Sequence, residues 1–300
     1  MSNVLKTACF LILLTFATVS SGYALGGERG MWVAFSLACL VDLGSYWFSD
    51  KIVLAMHRAQ PLTEEEASEV FEIVRKLSAK AGVPVPRLYM LPSASANAFA
   101  AGRDPKHAVI AVTHGIVGLL NKEELSGVLG HELSHILNRD TLLSSIVATL
   151  AGALSMIVSM FRWSFVWGGE RDERDSNHPL AWVLASIFMP LVAMLIQFAI
   201  SRSREYGADL RGARLCEEPL YLASALKKID IASKRFPLRD AAPATAHLFI
   251  VNPLSGKGWS ALFSTHPSIE DRVARLEAMS RPPARSFAGF ESIDDRRSSG

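Results

Sequence analysis

The chain has 300 residues, of which half are hydrophobic and 20% are charged, and its mean hydropathy is +0.23. That hydropathy is too high for an ordinary soluble protein, and a net charge of +2 without a basic, aromatic-rich patch argues against a nucleic-acid partner. The three cysteines, Cys9, Cys39 and Cys216, form neither a disulfide framework nor a C-x-x-C metal pair, which weakly favours a reducing compartment.

Four apolar runs divide the sequence. The first, Thr7–Gly27, carries no charge and is long enough to cross a bilayer as a helix. The other three are 31–48, which Asp42 interrupts, 141–161 and 179–201. We therefore predict four transmembrane helices in two hairpins, at 1–50 and 141–201. A cleaved signal peptide is the alternative for the first run, but a second run follows within a few residues, which favours a retained anchor.

The polar stretch 51–140 predicts an α+β domain. An amphipathic helix is expected over Thr63–Ala81, with Thr63 as its N-cap, Glu66 completing a capping box and Gly82 ending it. The later predicted elements are strands at 87–91, 96–100 and 108–113 and a helix at 123–138 capped by Asn121. After the second hairpin, helices are predicted at 206–216, 220–235 and 269–279, and 282–300 is expected to be a disordered tail.

The segment His131-Glu132-Leu133-Ser134-His135 carries the chemistry. On a helix, two histidines four residues apart share one face and can bind one metal ion, which in such motifs is zinc. Glu132 is then placed to take a proton from a water activated by the metal. The motif arises by chance in roughly one such chain in a hundred. The alternative interpretation is an amphipathic helix that happens to carry two polar histidines. The apolar residues before it make unpaired histidines costly there, which favours the metal site.

A second charged pair, Glu205 and Asp209, follows the fourth apolar run. The two residues lie one helical turn apart, so Glu205 can be a third metal ligand while Asp209 orients a ligand imidazole. In isolation, the spacing is more simply a solvated helix end after a membrane span. The predicted hairpin at 141–201 favours the ligand over the solvated helix end, because it would return Glu205 to the membrane face on which His135 lies.

These motifs together resemble those of the HtpX-type membrane zinc metalloproteases, which are relatives of the CAAX prenyl proteases. The likeness runs from the first hairpin to about Met279 and implies a zincin-like domain in two halves, 51–140 and 202–281. It implies Zn²⁺ as cofactor, with ligands His131, His135 and Glu205, the base Glu132 and the supporting carboxylate Asp209. The implied substrates are misfolded or damaged membrane proteins, which would make the protein a quality-control endopeptidase.

The resemblance extends to residues outside the metal motifs. Asn97, Ala98, Phe99 and Ala100 match an edge strand that is expected to pair with an extended substrate backbone. Asn138 and Asp140 match the N-x-D after the second histidine, and His266-Pro267 with Arg272 resembles an H-P element of the family. His266 either polarises the scissile carbonyl, transiently occupies the open zinc position, or has a purely structural role.

The remaining histidines are not expected to be ligands. His57, His107, His178 and His247 are interpreted as surface or loop residues, and His114 as a core or surface residue.

Lysine and arginine are concentrated at the span ends next to the polar domain, which predicts that this domain faces the cytoplasm. The flanking residues on that side are Lys51, Arg58, Lys122, Arg139, Arg202, Arg204, Arg211 and Arg214, against Arg29, Arg162, Arg171 and Arg174 in the opposite loops. We therefore expect a multi-pass protein of the plasma (inner) membrane, with the lipid bilayer and protein substrates as its partners.

Two rival functions remain at this point. A catalytically idle membrane chaperone or adaptor could keep the fold and bind clients, although a binding protein has no need of Glu132. A prenyl-peptide protease would share the chemistry but would need a large membrane chamber, for which four spans are too few.

Overall fold

The computed structural model describes residues 3–167, 201–235, 244–251 and 267–280. The described elements alternate helices with short strands, so the α+β class is confirmed. In chain order the helices are α1 (Asn3–Met56), α2 (Ser68–Ala81), α3 (His114–Leu119), α4 (Lys122–Leu137), α5 (Asp140–Trp167), α6 (Arg202–Cys216), α7 (Pro219–Arg235) and α8 (Ile269–Ser280). Two short 3-10 helices cover Pro105–His107 and Ala246–Leu248.

Helix α1 is a hairpin of two apolar helices. Its backbone is non-helical at Gly26 and Gly27, where Gly27 has a φ of 58° that an L side chain rarely adopts. The segments Val4–Ala24 and Gly26–Met56 are each long and apolar enough to cross a membrane. Large apolar side chains on both are mostly exposed, as in Phe16 and Val33 at 70% and 71%, which suits lipid rather than water. The first predicted hairpin is therefore confirmed.

Asp42 lies within the second of these segments. Thr15 Oγ1, on the first segment, donates a hydrogen bond of 2.7 Å to Asp42 Oδ2. The carboxylate that interrupts the apolar run is thus paired across the hairpin.

The second predicted hairpin falls only partly within the described residues. Its first run lies in α5, a helix of 28 residues that begins at Asp140. Its second run, 179–201, lies outside the described residues except for Ser201.

A four-stranded mixed sheet supports the site. The strands are β1 (Gln60–Pro61), β2 (Arg87–Leu91), β3 (Ala98–Ala101) and β4 (Val109–Thr113), in the order β1-β2-β4-β3. Strand β2 pairs in parallel with β4, and β3 pairs antiparallel with β4, with Phe99 opposite Ala111. Strand β3 is therefore at the edge of the sheet, on the side of α4 and α5.

Most predicted elements agree with the structure to within a few residues, but the start of α2 was placed wrongly. The helix begins at Ser68 rather than Thr63, because Ala67 has a non-helical φ of −150°. Glu66 does accept hydrogen bonds from Thr63 N and Thr63 Oγ1, at 3.0 and 2.9 Å. The capping pair therefore closes a separate turn ahead of the helix. Gly82 ends the helix as predicted, in the left-handed conformation.

Candidate active site

Helix α4 presents the two histidines to the interior. Asn121 caps the helix as predicted and forms a capping box with Glu124, so the helix begins at Lys122 with its first N–H groups satisfied. Glu124 also accepts hydrogen bonds from Ser224 and Lys228 on α7, which fixes the helix against its neighbour. His131 and Glu132 are each 1% exposed, so the polar face of this helix is almost free of water.

Helix α6 supplies the carboxylates, and a glycine permits its close approach to α4. A Cβ atom at Gly212 would lie 2.8 Å from His131 N and 3.0 Å from the Gly130 carbonyl carbon. Because backbone atoms cannot move aside as a flexible side chain can, only glycine fits at this crossing. Asp209 and Glu205, one and two turns earlier on α6, are thereby brought beside His131 and are themselves buried.

The three residues predicted as ligands converge on one point. Ligand atoms of His131, His135 and Glu205 all lie within 4.8 Å of one another. The two Nε2 atoms are 3.1 Å apart, His131 Nε2 is 3.8 Å from Glu205 Oε2, and His135 Nε2 is 3.7 Å from Glu205 Oε1. Ligands about 2.1 Å from a tetrahedral metal ion are separated by about 3.4 Å. The two imidazole nitrogens and the Glu205 carboxylate are therefore spaced as three ligands around a zinc-sized ion would be.

Each imidazole is oriented by a carboxylate of its own. His131 Nδ1 is 2.9 Å from Asp209 Oδ1, and His135 Nδ1 is 3.0 Å from Asp140 Oδ2. Because an ionised carboxylate can only accept, each Nδ1 carries a proton and each Nε2 faces the centre. Two Nε2 lone pairs 3.1 Å apart would repel each other unless a cation or a proton lies between them. The donor set thus fits a metal ion.

A buried arginine completes the group around Asp209. Arg272 on α8 donates from Nε to Asp209 Oδ2 at 2.9 Å and from Nη2 to Asp209 Oδ1 at 2.7 Å. Arg272 is 1% exposed, and its Nη1 donates to the Ile250 carbonyl at 3.0 Å. Although burial raises the pKa of Asp209, the charge of Arg272 and the bond from His131 outweigh it and hold this pKa at about 2. Asp209 is therefore a fixed anion behind His131.

The pKa values of the two histidines are moved in opposite directions. Burial lowers the pKa of His131 to about 4. Burial also lowers that of His135, but its bond to Asp140 and the charges of Glu205 and Glu132 raise the pKa to about 9 in the absence of metal. Burial raises the pKa of Glu132 to about 7. A metal ion bound here must therefore displace a proton from the His135 side of the pair.

Comparison with known proteins agrees with this geometry. The profile of peptidase family M48 matches residues 64–280, a range that includes both histidines, Glu132, Asp140, Glu205, Asp209 and Arg272. The chain belongs to peptidase family M48. Among similar proteins, the "Protease HtpX homolog" of Syntrophobacter fumaroxidans is 52% identical over 93% of this chain and 100% of its own. Those of Syntrophotalea carbinolica and Pyrococcus furiosus are each 49% identical, over 92% and 90% of this chain and 99% and 94% of theirs.

This M48 peptidase is a metal-dependent hydrolase of peptide bonds, and its two N-terminal apolar helices make it a membrane protein. Both the membership and the protease function predicted from the sequence are confirmed.

The M48 peptidase places Glu132 between the metal ligands and the edge strand. Glu132 accepts a hydrogen bond from the backbone N–H of Ala100 in β3. The three predicted metal ligands, Glu132 and Ala100 line one cleft together with residues from α5 and from the segment 247–250. The predicted base thus faces both the metal position and the strand predicted to hold the substrate.

The predicted substrate strand is not free in this structure. Asn97 lies just before β3, and Ala98, Phe99 and Ala100 lie within it, all almost fully buried. The backbone N–H of Ile250 donates to the Ala98 carbonyl at 3.1 Å. The segment 244–251 therefore covers this edge of the sheet. His266, the other residue singled out in the sequence, lies outside the described residues.

Among the histidines interpreted as surface or loop residues, His247 is buried and His57, in the turn after α1, is half-buried. His247 is 5% exposed, lines the cleft and makes a 3.1 Å hydrogen bond through Nε2 to the Ser144 carbonyl. His57 is half-buried, with its ring centroid 5.6 Å from that of Phe99 and 5.1 Å from that of Phe249. Burial lowers the pKa of His57 to about 4, so its ring is neutral. His107 is exposed as predicted and contacts Asp104, whereas His178 lies outside the described residues.

Sequence reasoning matched Asp140 and Arg272 to family motifs without giving either a role. Asp140 follows His135 by five residues, so a contact across the end of α4 could have been considered from spacing alone. Arg272 is 63 residues from Asp209, and no local pattern in the sequence relates the two.

Proposed function

We propose that the metal of this peptidase is zinc, with His131, His135 and Glu205 as its ligands and Glu132 as the general base. The observation that carries the proposal is the convergence of three ligand atoms within 4.8 Å, each imidazole being fixed by a separate carboxylate. Two nitrogens and one carboxylate are a ligand set typical of catalytic zinc, which keeps a fourth position open.

Zinc in such a site supplies Lewis acidity that lowers the pKa of water to near neutrality. Glu132 then accepts the proton of the attacking water and delivers it to the leaving amine. Its raised pKa of about 7 suits both steps, because the group can hold a proton and release it again near neutral pH. Asp209 and Asp140 keep the two imidazoles aimed during these transfers.

The proposed substrates are misfolded or damaged membrane proteins, in a quality-control role. This part rests on the family likeness and on the position of the site. Asp140, which orients His135, is also the first residue of the apolar helix α5. The cleft therefore lies beside the start of an apolar helix. We also propose that α5 and the run 179–201 form a second membrane hairpin.

The catalytic proposal is tested with the full-length protein purified in detergent with a chelator present. Zinc addition should start cleavage of an unfolded protein such as casein. Glu132→Gln should bind as much zinc but hydrolyse the substrate about 10² to 10⁴ times more slowly, because the proton acceptor is lost. Equal rates for both proteins would refute the role of Glu132. An inactive parent with a full zinc site would instead favour the chaperone or adaptor.

We propose that the protein lies in the inner membrane with its catalytic domain facing the cytoplasm. This orientation is supported by the lysine and arginine asymmetry of the sequence. Glu28, directly after the kink that separates the two apolar helices, and Glu65, in the turn before α2, are both exposed.

Glu28→Cys and Glu65→Cys, each in a background without the native cysteines, test this orientation. An impermeant thiol reagent added to intact cells should label Glu28→Cys and leave Glu65→Cys untouched until the cells are opened. Labelling of Glu65→Cys alone would reverse the orientation. Ser176→Cys, between the runs of the second proposed hairpin, should be labelled like Glu28→Cys if that hairpin crosses the membrane.

A further inference from the structure

The segment 249–251 is bound to the edge of the sheet as a peptide would be. Ile250 N donates to the Ala98 carbonyl at 3.1 Å, and the Ile250 carbonyl accepts from Arg272 Nη1 at 3.0 Å. The next residue, Val251, meets the side-chain amide of Asn97. Val251 N is 3.4 Å from Asn97 Oδ1, and Asn97 Nδ2 donates to the Val251 carbonyl at 2.8 Å. All four main-chain groups of this dipeptide are thus satisfied by three fixed residues.

These three residues are built to bind a main chain rather than particular side chains. Ala98 offers a strand-edge carbonyl, Asn97 a donor and an acceptor side by side, and Arg272 a cation that is already fixed by Asp209. Such groups pair with any extended backbone, because every residue except proline presents the same N–H and C=O. The same strand contacts the proposed base through Ala100 N–H. The bound dipeptide therefore lies beside the reacting groups.

The side chains of Phe249 and Ile250 pack into two different hydrophobic clusters. Phe249, with an extended φ of −77° and ψ of 144°, packs its ring edge-on to Phe99, with centroids 5.4 Å apart. Ile250 and Val251 belong instead to the main hydrophobic cluster, with Leu129 and Leu133 of α4. Phe249 is fully buried and Ile250 is 2% exposed. Adjacent residues therefore fill two apolar pockets on different sides of the segment.

With the segment in place, the cleft beside the metal ligands has a volume of about 30 Å³. A single water needs about 10 to 15 Å³ measured in this way, so the space suits one or two waters but no peptide. Residues 247–250 form one wall of this space, so their movement away from the metal ligands would make room for a substrate.

We propose that Phe249–Val251 is an internal mimic of the substrate, which holds the peptide-binding position closed until a substrate strand replaces it. This inference rests on the proposed function and extends it. Asn97, Ala98 and Arg272 then bind the substrate main chain, and the pockets of Phe249 and Ile250 select an extended segment with two adjacent apolar residues. Such segments are buried in folded proteins and become exposed when a protein unfolds.

Ile250→Pro tests the closure, because proline lacks the N–H that binds Ala98. Loss of this hydrogen bond should favour the open state and raise kcat/KM of the zinc-loaded protein toward casein about tenfold, mainly through KM. Ile250→Val keeps the N–H and a similar side chain and should match the parent. If both variants hydrolyse casein at the parent rate while binding full zinc, the segment is a fixed wall and the proposal is wrong.

A second measurement does not depend on folding of the proline variant or on hydrolysis. Zinc-loaded Glu132→Gln is mixed with a synthetic peptide that has the sequence of residues 246–251, and hydrogen exchange of the protein is followed. Peptide binding should speed exchange of the Ile250 and Val251 amides at least tenfold, because the peptide takes their partners. A peptide with serine at the positions of Phe249 and Ile250 should leave exchange unchanged.

Unchanged or slower exchange at these amides with the first peptide bound would overturn the mimicry. If the parent enzyme is inactive but the first peptide still speeds exchange of the Ile250 and Val251 amides, the proposed function is wrong and the mimicry stands.

Discussion

Arg272 and Asp209 form a bidentate ion pair in the interior, although 63 positions separate them in the sequence. The pair is almost fully buried, so neither charge is screened by water. Through Asp209 it fixes the ring of His131, and through the Ile250 carbonyl it contacts the segment beside the cleft. One side chain thus connects α8 with both the metal position and the peptide-binding edge.

Asp209→Asn and Asp140→Asn should both weaken zinc binding, by about ten- to a hundredfold, because each removes the partner of one ligand imidazole. Their effects on stability should differ. Asp209→Asn leaves Arg272 buried without a counter-charge and should destabilise the metal-free protein by about 3 to 5 kcal/mol. Asp140→Asn should cost less, since its other cationic neighbour, Arg204, is 3.6 Å away.

Chelator competition and thermal unfolding of the metal-free proteins measure the two quantities. Asp230→Asn, a partly exposed carboxylate of α7, serves as the matched control and should change neither. Equal stability of Asp209→Asn and Asp140→Asn would contradict the importance given to the Arg272 pair.

Zinc affinity should rise with pH between pH 6 and 8. In the metal-free protein the pKa of His135 is raised to about 9, so a proton must leave this ring before zinc binds. The apparent affinity should therefore increase about tenfold per pH unit and level off above the pKa of His135. Asp140→Asn removes a bond that raises this pKa, and should flatten the pH dependence while lowering affinity at pH 8. A slope that is unchanged in Asp140→Asn would show that another group takes up the proton.

Glu205→Ala should lose zinc as well as activity, because two imidazoles alone hold the ion weakly. His266→Ala should retain zinc even if its turnover falls. Glu65→Ala, at an exposed turn, is the control for removal of a carboxylate. Metal analysis of the purified proteins decides the assignment. Full zinc in Glu205→Ala together with an empty His266→Ala would exchange the roles of the two residues.

Gly212→Ala should separate α4 from α6. Its methyl group would lie 2.8 Å from His131 N, so we expect a loss of about 1 to 3 kcal/mol in stability and a weaker zinc site. Gly207→Ala is the control on the same helix, since a Cβ there meets nothing within 4 Å. Alanine at this position should stabilise α6 by up to about 1 kcal/mol. Unfolding and zinc affinity measured on both variants test the close packing; similar results for the two would contradict it.

The parts of the site that could be predicted are those governed by helical periodicity. Spacing of four residues relates His131 to His135 and Glu205 to Asp209, and each relationship holds within a single helix. The contact between α4 and α6 could be predicted only on the assumption that the apolar runs between them form a hairpin. The glycine that permits their contact, Gly212, carries no local signal, because its role depends on the backbone of α4.

Long-range contacts made by ordinary side chains were beyond the reach of the sequence. Nothing near Val251 or Asn97 indicates that they lie together, since 154 residues separate them and the contact depends on how the second half of the domain returns to the sheet. The burial of His247 has the same origin. The error at Thr63 is different, because a correct local pair was formed but the helix began only after Ala67.

The division of the site between two distant stretches of chain also determines when the enzyme can become active. His131 and His135 leave the ribosome well before Glu205, Asp209 and Arg272 are made. At usual rates of synthesis, the 137 residues from His135 to Arg272 take on the order of ten seconds. Until Glu205 is made, 70 residues after His135, a nascent chain has its imidazoles but lacks the proposed third ligand, and Arg272 follows only after a further 67 residues. If the proposed ligands hold the metal, we expect the new chain to have no complete zinc site while its first half is inserted.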